Sequence, residues 1–260
     1  MIFLKTENNK TVHKLRTKLY QSLKAPIDAM WELLYIASSK HYLIEEDGET
    51  IGFCCINEEG ALLQIYLNED KALNMLGVIQ KLLASNLMNS ANLSSNEPIG
   101  FNSCLALSKS IEVNTFCFEN NNKSIITDSK LQVDLVSKVD IPAIKSFLME
   151  QIGMDDNFGY TENLVGRKEL YMLKEQDEII AISECRISDS QPGIVDLGII
   201  VNKAFQGKGI ASQVFQLQVN RVLKEGNKPI CSTTSDNIAS RKAIEKAGFY
   251  CSNIIFNIQF

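Results

Sequence analysis

Hydrophobic residues in the second half of the chain follow first a two-residue and then a helical period. Alternation of apolar and polar side chains, together with β-branched runs, predicts four strands: Leu131–Val136, Tyr171–Lys174, Ile179–Ser188 and Ile194–Val201. Between the first two strands, Asp140 and Pro142 predict the start of a helix. This order of elements is typical of an α/β domain.

A long amphipathic helix is predicted to begin near Gly209, because apolar residues then recur on one face of a helical wheel. Gly226-Asn227 predicts its end. Three further elements complete this half: a strand at Ile230–Thr233, a helix from Asn237 to Gly248, and a strand from Phe249 towards Phe260.

The first half repeats this order more faintly. It offers strands at Tyr42–Glu45, Thr50–Ile56 and Ala61–Leu67, and then a helix whose predicted apolar face holds Leu73, Leu76, Ile79 and Leu83. Later, Ser103-x-x-Ala106-x-x-Lys109 has the spacing of Ser240-x-x-Ala243-x-x-Lys246. The shared order predicts an ancient duplication. The turn-prone stretch Glu119–Ser124 is the predicted linker, which separates a domain at 1–123 from one at 130–260.

Composition narrows the classes of function. The chain is 45% hydrophobic and 22% charged, as in soluble folded proteins, and no apolar run is long enough to span a bilayer. Lys5 interrupts the apolar start too early for a signal peptide. A net charge of −5 without a cluster of cations disfavours nucleic acid as a partner. We therefore expect a cytoplasmic protein with neither a nucleic-acid nor a membrane partner.

The cysteine and histidine pattern predicts no metal site. The seven cysteines are scattered without a CxxC, and the two histidines, His13 and His41, both lie in the first half. A zinc site needs a tighter cluster of ligands. We interpret the cysteines as reduced, small core residues.

A candidate anion site follows the predicted strand Ile194–Val201. The segment Gln206–Ala211 joins that strand to the long helix, and Gly207 and Gly209 allow backbone N–H groups to approach an anion. The helix start adds unpaired donors and a positive dipole end. A Rossmann fingerprint would need glycine in place of Ser212, and a Walker loop is absent. The predicted ligand is a diphosphate; a plain strand-to-helix turn is the alternative.

The second half resembles the GNAT superfamily of acetyl-CoA-dependent N-acetyltransferases. Its first signature, a strand ending Leu/Ile-x-Val before a Q/R-x-x-G-x-G/A loop, matches Ile199-x-Val201 and Gln206–Ala211. Its second, Asn and a small residue before a helix ending Glu-Lys-x-Gly-Phe, matches Asn237–Ser240 and Glu245–Phe249. The resemblance covers about 131–260. It implies an α/β fold of two tandem GNAT-like domains, each a mixed, mostly antiparallel sheet flanked by helices.

The resemblance also implies the reaction and its cosubstrate. An amine acceptor, either a small molecule or a peptide, would attack acetyl-CoA directly in a ternary complex. A backbone N–H near Ile200 or Val201 would polarise the thioester carbonyl in a gap between two splayed strands. Lys208 would either reach a phosphate or stay solvated, and Asn237 would bind the pantetheine arm as well as cap its helix. The implied cosubstrate-binding residues are Ile199, Ile200, Val201, Gln206, Gly207, Lys208, Gly209, Ile210, Ala211, Ser212 and Asn237.

The proton donor to the leaving thiolate departs from the family pattern. Ile244 stands where many members have a tyrosine. Ser240, Cys231, Ser232 or a water could replace it, and of these we include Ser240 in the predicted catalytic set. A coenzyme A-binding module without turnover is therefore an alternative function, as is aminoacyl or peptidyl transfer on the same fold.

Two carboxylates in the predicted strands, Glu184 and Asp196, are candidates for the general base that deprotonates the amine. Tyr160, Glu162 and Arg167 lie where the family's acceptor loop is usually found, and they are candidates for substrate contact.

The first half of the chain departs much further from the family pattern. Its equivalent of the glycine loop, Asn68–Lys71, contains no glycine and two acids, which would repel a diphosphate. We expect this half to keep the fold without binding coenzyme A. The second half has room for only one strand after its last helix, where the family has two. A strand within Lys123–Thr127 is predicted to complete its sheet.

Overall fold

The structure is a computed structural model in which residues 1–7, 9–121 and 131–260 are described. Its strands are β1 (Ile2–Lys5), β2 (Lys40–Glu46), β3 (Glu49–Ile56), β4 (Ala61–Leu67), β5 (Ser90–Ser94), β6 (Ser110–Asn120), β7 (Asp134–Leu135), β8 (Leu170–Glu175), β9 (Glu178–Ile187), β10 (Ile194–Val201), β11 (Lys228–Thr234) and β12 (Phe249–Gln259). Its α-helices are α1 (Asn9–Ser22), α2 (Met75–Ala84), α3 (Pro98–Leu105), α4 (Ile141–Ile152), α5 (Tyr160–Arg167), α6 (Ile210–Lys224) and α7 (Ile238–Lys246). No described helix is both long and apolar enough to span a bilayer.

The chain forms two compact units. One consists of Met1–Cys117 together with Cys251–Phe260, and the other of Phe118–Tyr250. In the first, strands are ordered β1-β2-β3-β4-β5-β12-β6; in the second, the order includes β11-β10-β9-β8-β7. Each contains a parallel pair, β4–β5 or β10–β11, beside antiparallel pairs. The predicted α/β fold, with mixed, mostly antiparallel strand pairing flanked by helices, is confirmed.

The two faces of β9 and β10 pack against different helices in the second unit. Ile182 joins the cluster of α4 and α5, whereas Ala181 joins Val214 of α6. Because side chains alternate along a strand, even-numbered residues of β10, and of β9 from Ala181 onwards, face α4 and α5, and odd-numbered ones face α6. Before Ala181 the order is reversed, with Ile179 in the α4–α5 cluster and Ile180 beside α6, next to a register shift between β8 and β9. This alternation decides which side chains the site contains.

The start of α4 differs slightly from the prediction. Asp140 lies in a 3₁₀ turn, Lys138–Asp140, that leads into the helix. Its carboxylate accepts hydrogen bonds from the backbone N–H and the hydroxyl of Ser137, at 3.1 and 2.6 Å. Ser137 is thus the first cap, and Asp140 completes a capping box. The predicted first strand shortens to β7 because only Asp134 and Leu135 pair with β8.

The predicted apolar face of the first-unit helix was wrong in part. Leu73 is 98% exposed, since it lies in a 3₁₀ turn, Glu69–Asn74, that precedes α2. The tighter winding of that turn shifts the register of the buried face. The buried residues of α2 are Met75, Val78, Ile79 and Leu82.

The two units do not coincide with the first and second halves of the sequence, and the first unit is built from two separate segments. Phe118–Asn120, the end of β6, belongs to the second unit, and Cys251–Phe260 belongs to the first. The last strand pairs with β5 from Ile255↔Ser94 to Gln259↔Ser90. The predicted strand within Lys123–Thr127 lies outside the described residues. The predicted domains at 1–123 and 130–260 stay a prediction, and the compact units divide the chain at other positions.

This exchange predicts that the second half will not fold alone. A fragment that begins at Lys130 lacks Phe118–Asn120, and it leaves the apolar side chains of Ile255 and Ile258 without their first-unit neighbours. We expect the fragment to be insoluble or to show no cooperative thermal transition by circular dichroism, whereas the full chain melts cooperatively. A sharp, reversible transition of the fragment would contradict this expectation.

Candidate active site

A gap opens between the parallel strands β10 and β11 of the second unit. They pair only at Ile194↔Lys228, Val195↔Pro229 and Asp196↔Ile230. Beyond Asp196, residues 198–201 are only partly buried although three of the four are large and apolar. The strands thus splay apart as predicted, and they leave backbone groups for an extended ligand.

The register of β10 shows which backbone groups face this gap. The N–H of Asn202 donates to the carbonyl of Ile180 on β9, at 2.9 Å. Because the direction alternates along an antiparallel strand, Ile200 also points towards β9, whereas Ile199 and Val201 point into the gap. The side-chain amide of Gln206 donates to the carbonyl of Val201, at 3.3 Å, on the gap side. Of the two predicted N–H groups, the one of Val201 is therefore oriented towards the gap and the one of Ile200 is not.

The loop after β10 presents backbone donors at the start of α6. Gly207 and Gly209 have φ of +76° and +78°, so glycine suits both positions. A Cβ on Gly207 would meet no atom within 4 Å, and one on Gly209 would meet only the Gln213 side chain, at 3.9 Å. In the described part of the chain, the N–H groups of residues 207–212 donate to no protein acceptor. Unpaired donors around open space fit the diphosphate of coenzyme A.

Lys208 and Asn237 have structural partners beside this loop. The ammonium of Lys208 lies 4.7 Å from the centre of the Phe205 ring, which is a cation–π contact. The side chain of Asn237 accepts from the N–H of Ser240, at 3.0 Å, and so caps α7. Neither contact tests the predicted role towards coenzyme A. Ile244, at the family's tyrosine position, is fully buried and supplies no proton.

Four polar side chains form a largely buried cluster on the α4–α5 face of the sheet: Tyr160, Glu184, Arg186 and Asp196, here called the Arg186 cluster. The hydroxyl of Tyr160 donates to Oε2 of Glu184, at 2.8 Å, and Nη1 of Arg186 contacts the same oxygen. Nη2 of Arg186 donates to Oδ1 of Asp196, at 2.7 Å. Burial is the largest effect raising the pKa of Tyr160, so its phenol remains a hydrogen-bond donor at neutral pH. The two predicted base candidates are therefore linked through one guanidinium.

Sequence reasoning missed both Arg186 and Gly198. Gly198 lies opposite Glu184 in the register of β9 and β10. A Cβ at Gly198 would come within 2.9 Å of Nη1 of Arg186 and 3.2 Å of Oε2 of Glu184. The absence of a side chain thus makes room for the ion pair. The sequence does contain the alternating pairs Glu184-x-Arg186 and Asp196-x-Gly198. That these two pairs lie opposite each other follows only from the register of β9 and β10, which the sequence does not show.

The other two residues predicted to contact the acceptor substrate form salt bridges. Glu162 pairs with Lys145 at 2.7 Å, and Arg167 pairs with Glu169 at 2.9 Å and with Asp189 at 3.1 Å. Tyr160 is the one of the three predicted contacts that joins the Arg186 cluster. Among the described residues, no group of His, Cys, Asp or Glu side chains could hold a metal ion.

The first unit has the same strand geometry, but a side chain lies in its gap. Strands β4 and β5 pair only at Ala61↔Ser90 and Leu62↔Ala91. The N–H of Asn68 donates to the carbonyl of Ile51 at 2.8 Å, which makes Asn68 the equivalent of Asn202 and Ile65 the equivalent of Ile199. The backbone N–H of Ile65 donates a hydrogen bond to the buried carboxyl of Glu97.

Helix α3 also lies close to this strand. A Cβ on Gly100 would come within 2.7 Å of Cγ2 of Ile65. After β4 the chain enters the 3₁₀ turn Glu69–Asn74 instead of a glycine loop. Burial raises the pKa of Glu97 to about 8, so the carboxyl is mostly neutral at pH 7. These features support the expectation that the first unit does not bind coenzyme A.

The comparisons with known proteins agree with this geometry. Residues 8–121 and 146–250 each match a family model described as an acetyltransferase (GNAT) domain. An acetyltransferase from the GNAT family of Colwellia psychrerythraea is 28% identical, with a TM-score of 0.95 and full coverage of both chains. No curated protein matches the chain significantly.

Two more distant structures share the fold. The GCN5-related N-acetyltransferase from Sphaerobacter thermophilus has a TM-score of 0.67 at 12% identity, covering 99% of this chain and 95% of the other. A tandem GNAT protein from the clavulanic acid biosynthesis pathway has a TM-score of 0.60 at 9% identity, covering 99% and 97%.

The splayed strands, the donor-rich loop and the family matches define an acyltransferase. More narrowly, the chain belongs to the GNAT superfamily, and it contains two tandem GNAT domains. Acetyl transfer is the reaction that this family implies.

Proposed function

We propose that the second unit transfers an acetyl group from acetyl-CoA to an amine, by direct attack in a ternary complex. The acceptor would be a small molecule or a peptide. The observation that carries the proposal is the run of unpaired N–H groups at residues 207–212, at the end of the strand that borders the open gap. The predicted cytoplasmic location stays part of the proposal; the seven free cysteines fit a reducing compartment.

Different residues of the chain bind the cosubstrate and transfer protons. Residues 207–212 bind the diphosphate, and the backbone of Ile199 and Val201 holds the extended arm in the gap. Acetyl-CoA supplies an acetyl group activated as a thioester. The N–H of Val201 donates to the thioester carbonyl oxygen and stabilises the charge that develops there. Ser240 remains the proposed proton donor to the departing sulfur.

Glu184 is the proposed general base. It lies on the strand beside β10 and on the face opposite α6, and it is 7% exposed. Asp196 is only 1% exposed and accepts a hydrogen bond from Arg186, so an acceptor would contact it less easily than Glu184. Glu184 accepts the ammonium proton, and the nitrogen lone pair then forms the amide bond as the carbon–sulfur bond breaks. The second proton lost from the nitrogen replaces the one that Ser240 gives to the sulfur.

The variant Glu184→Gln tests this assignment. We expect kcat to fall by about 10²-fold, because a base contributes at least that much, while the affinity for coenzyme A is unchanged. Thiol release across a panel of amines measures the first quantity, and isothermal titration measures the second. Glu175→Gln, at an exposed position, is the matched control. Equal kcat for Glu184→Gln and this control would remove Glu184 as the base.

A further inference from the structure

Arg16 of α1 contacts a row of polar side chains in the first unit. The row crosses three neighbouring strands, because His41 on β2 pairs with Cys55 on β3, and Cys55 pairs with Gln64 on β4. Nε of Arg16 donates to Oε1 of Gln64 at 2.9 Å. Its Nη2 lies 3.2 Å from Nε2 of His41 and 3.2 Å from Sγ of Cys55. These four residues are here called the Arg16 cluster.

The described partners of this guanidinium are neutral groups. A guanidinium only donates, so His41 faces it with a lone pair, and burial lowers the pKa of His41, which keeps the ring neutral at pH 7. Burial raises the pKa of Cys55 to about 11, so its thiol keeps the proton. Among the described residues, no carboxylate lies within 4.0 Å of a nitrogen of Arg16, and Glu32 instead accepts from the Tyr20 hydroxyl at 2.9 Å. In this part of the chain, Arg16 is thus a partly buried cation without a counter-ion, which is unusual for a charged side chain.

Two donors of the cluster lack an acceptor. Nη1 of Arg16 forms no hydrogen bond with a described residue, and Arg16 is partly exposed, so a solute can reach it. Gln64 is fully buried, and its Nε2 forms no hydrogen bond of normal geometry with these residues, although it lies near the Tyr20 oxygen. The amide cannot be reversed, because Oε1 accepts from Arg16. A buried donor without an acceptor costs free energy, so both groups favour a ligand that accepts hydrogen bonds.

The cluster differs in charge from the corresponding face of the second unit. The strand registers place Cys55 at the position that Glu184 holds there. The first unit therefore has no carboxylate at the place of the proposed base, and the guanidinium of Arg16 contacts that position instead. Because like charges repel, this face disfavours an ammonium group and favours an anion.

We propose that the Arg16 cluster binds the carboxylate group of a small-molecule acid. The carboxylate supplies the counter-ion of Arg16, together with acceptors for Nη1 and for Nε2 of Gln64. One guanidinium neutralises one carboxylate, whereas a phosphate monoester carries close to two negative charges at neutral pH. The site lies in the first unit, and the inference does not rest on acetyl transfer by the second.

Thermal melting of the full chain, followed by the fluorescence of Trp31, tests for such a site. Trp31 is the single tryptophan, and it belongs to the same apolar cluster as Cys55. The probes are acetate, benzoate and succinate, each compared with its neutral amide at constant ionic strength. We expect the acids to raise the melting temperature more than their amides, because a ligand that binds the folded chain stabilises it. Titration calorimetry then measures the affinity of the acid with the largest effect.

Gln64→Glu fills the site from within. The new side chain has nearly the shape of the old one, and its carboxylate pairs with Arg16 as an internal counter-ion. We expect the affinity for the acid to fall by at least about tenfold, as we also expect for Arg16→Gln, because a charge-assisted hydrogen bond is lost. Lys14→Gln removes an exposed positive charge from the same helix, so it is the matched control and should bind like the wild type.

Three results would overturn the inference. They are a wild type that no acid stabilises more than its amide, an equal rise with chloride or inorganic phosphate, and equal affinities of Gln64→Glu and Lys14→Gln. If Gln64→Glu does not fold, Arg16→Gln takes its place in the last comparison. None of these results bears on coenzyme A binding or turnover by the second unit, which other variants test.

Discussion

Replacing Gly209 by glutamate is expected to lower the affinity for coenzyme A by at least about 100-fold. The residue has φ of +78°, and its Cβ would point into nearly open space at the start of α6. A side chain there would occupy the proposed place of the diphosphate, and its carboxylate would repel that group. The left-handed conformation adds a strain of about 1–2 kcal/mol for a residue with a Cβ. Isothermal titration with coenzyme A measures the effect.

Gly226→Glu is the matched control for this variant. Gly226 has φ of +79°, and its Cβ would meet no atom within 4 Å, so the strain and the added charge are similar. It follows the other end of α6, far along the helix from the loop. We expect this control to bind coenzyme A like the wild type. Equal affinities of Gly209→Glu and Gly226→Glu would refute the proposed diphosphate site.

Replacing Glu97 by glutamine is expected to remove a large pH dependence of the first unit's stability. The pKa of Glu97 is raised from 4.5 to about 8 by burial, against the weaker effect of its hydrogen bond with Ile65. Between these values the unfolded chain releases the proton and the folded chain keeps it. The wild type therefore loses stability as the pH rises from about 4.5 to 8. At 1.36 kcal/mol per unit, the loss is on the order of 4 kcal/mol.

The single tryptophan makes this loss measurable. Trp31 is buried in a cluster of the first unit, so its fluorescence during urea denaturation reports the unfolding of that unit. Glutamine imitates the neutral carboxyl, and the free energy of unfolding of Glu97→Gln should exceed that of the wild type increasingly towards pH 8. Glu112→Gln, at an exposed position of β6, should follow the wild type. Parallel pH profiles of Glu97→Gln and the wild type would show that Glu97 does not hold its proton in the folded state.

The parts of the fold that local sequence determines were predicted well. The strand β10, the glycine loop and α6 follow one another without interruption, and each carries its own signal: β-branched residues, positive-φ glycines and a helical period. The hairpin of β2 and β3 is likewise specified by its own turn, where Asp47 and Gly48 have positive φ. Features of this kind depend on residues near in sequence, and a single chain shows them.

The parts that depend on distant pairing were not predicted. The bridge from Arg186 to Asp196 requires the register of two strands, and the bond from Glu97 to Ile65 requires a helix to lie over a strand. The membership of Cys251–Phe260 in the first unit has no local signal at all, because its alternation fits any sheet with an apolar face. Periodicity identifies a strand, but it does not identify the partner.

The exchanged ends of the two units constrain folding during synthesis. The strand that lies between β5 and β6 is translated only after the whole of the second unit. Until Cys251–Phe260 leave the ribosome, β5 presents an unpaired edge beside an apolar core, and such edges promote aggregation of nascent chains. The first unit therefore has its full set of strands only after the second unit has been synthesised.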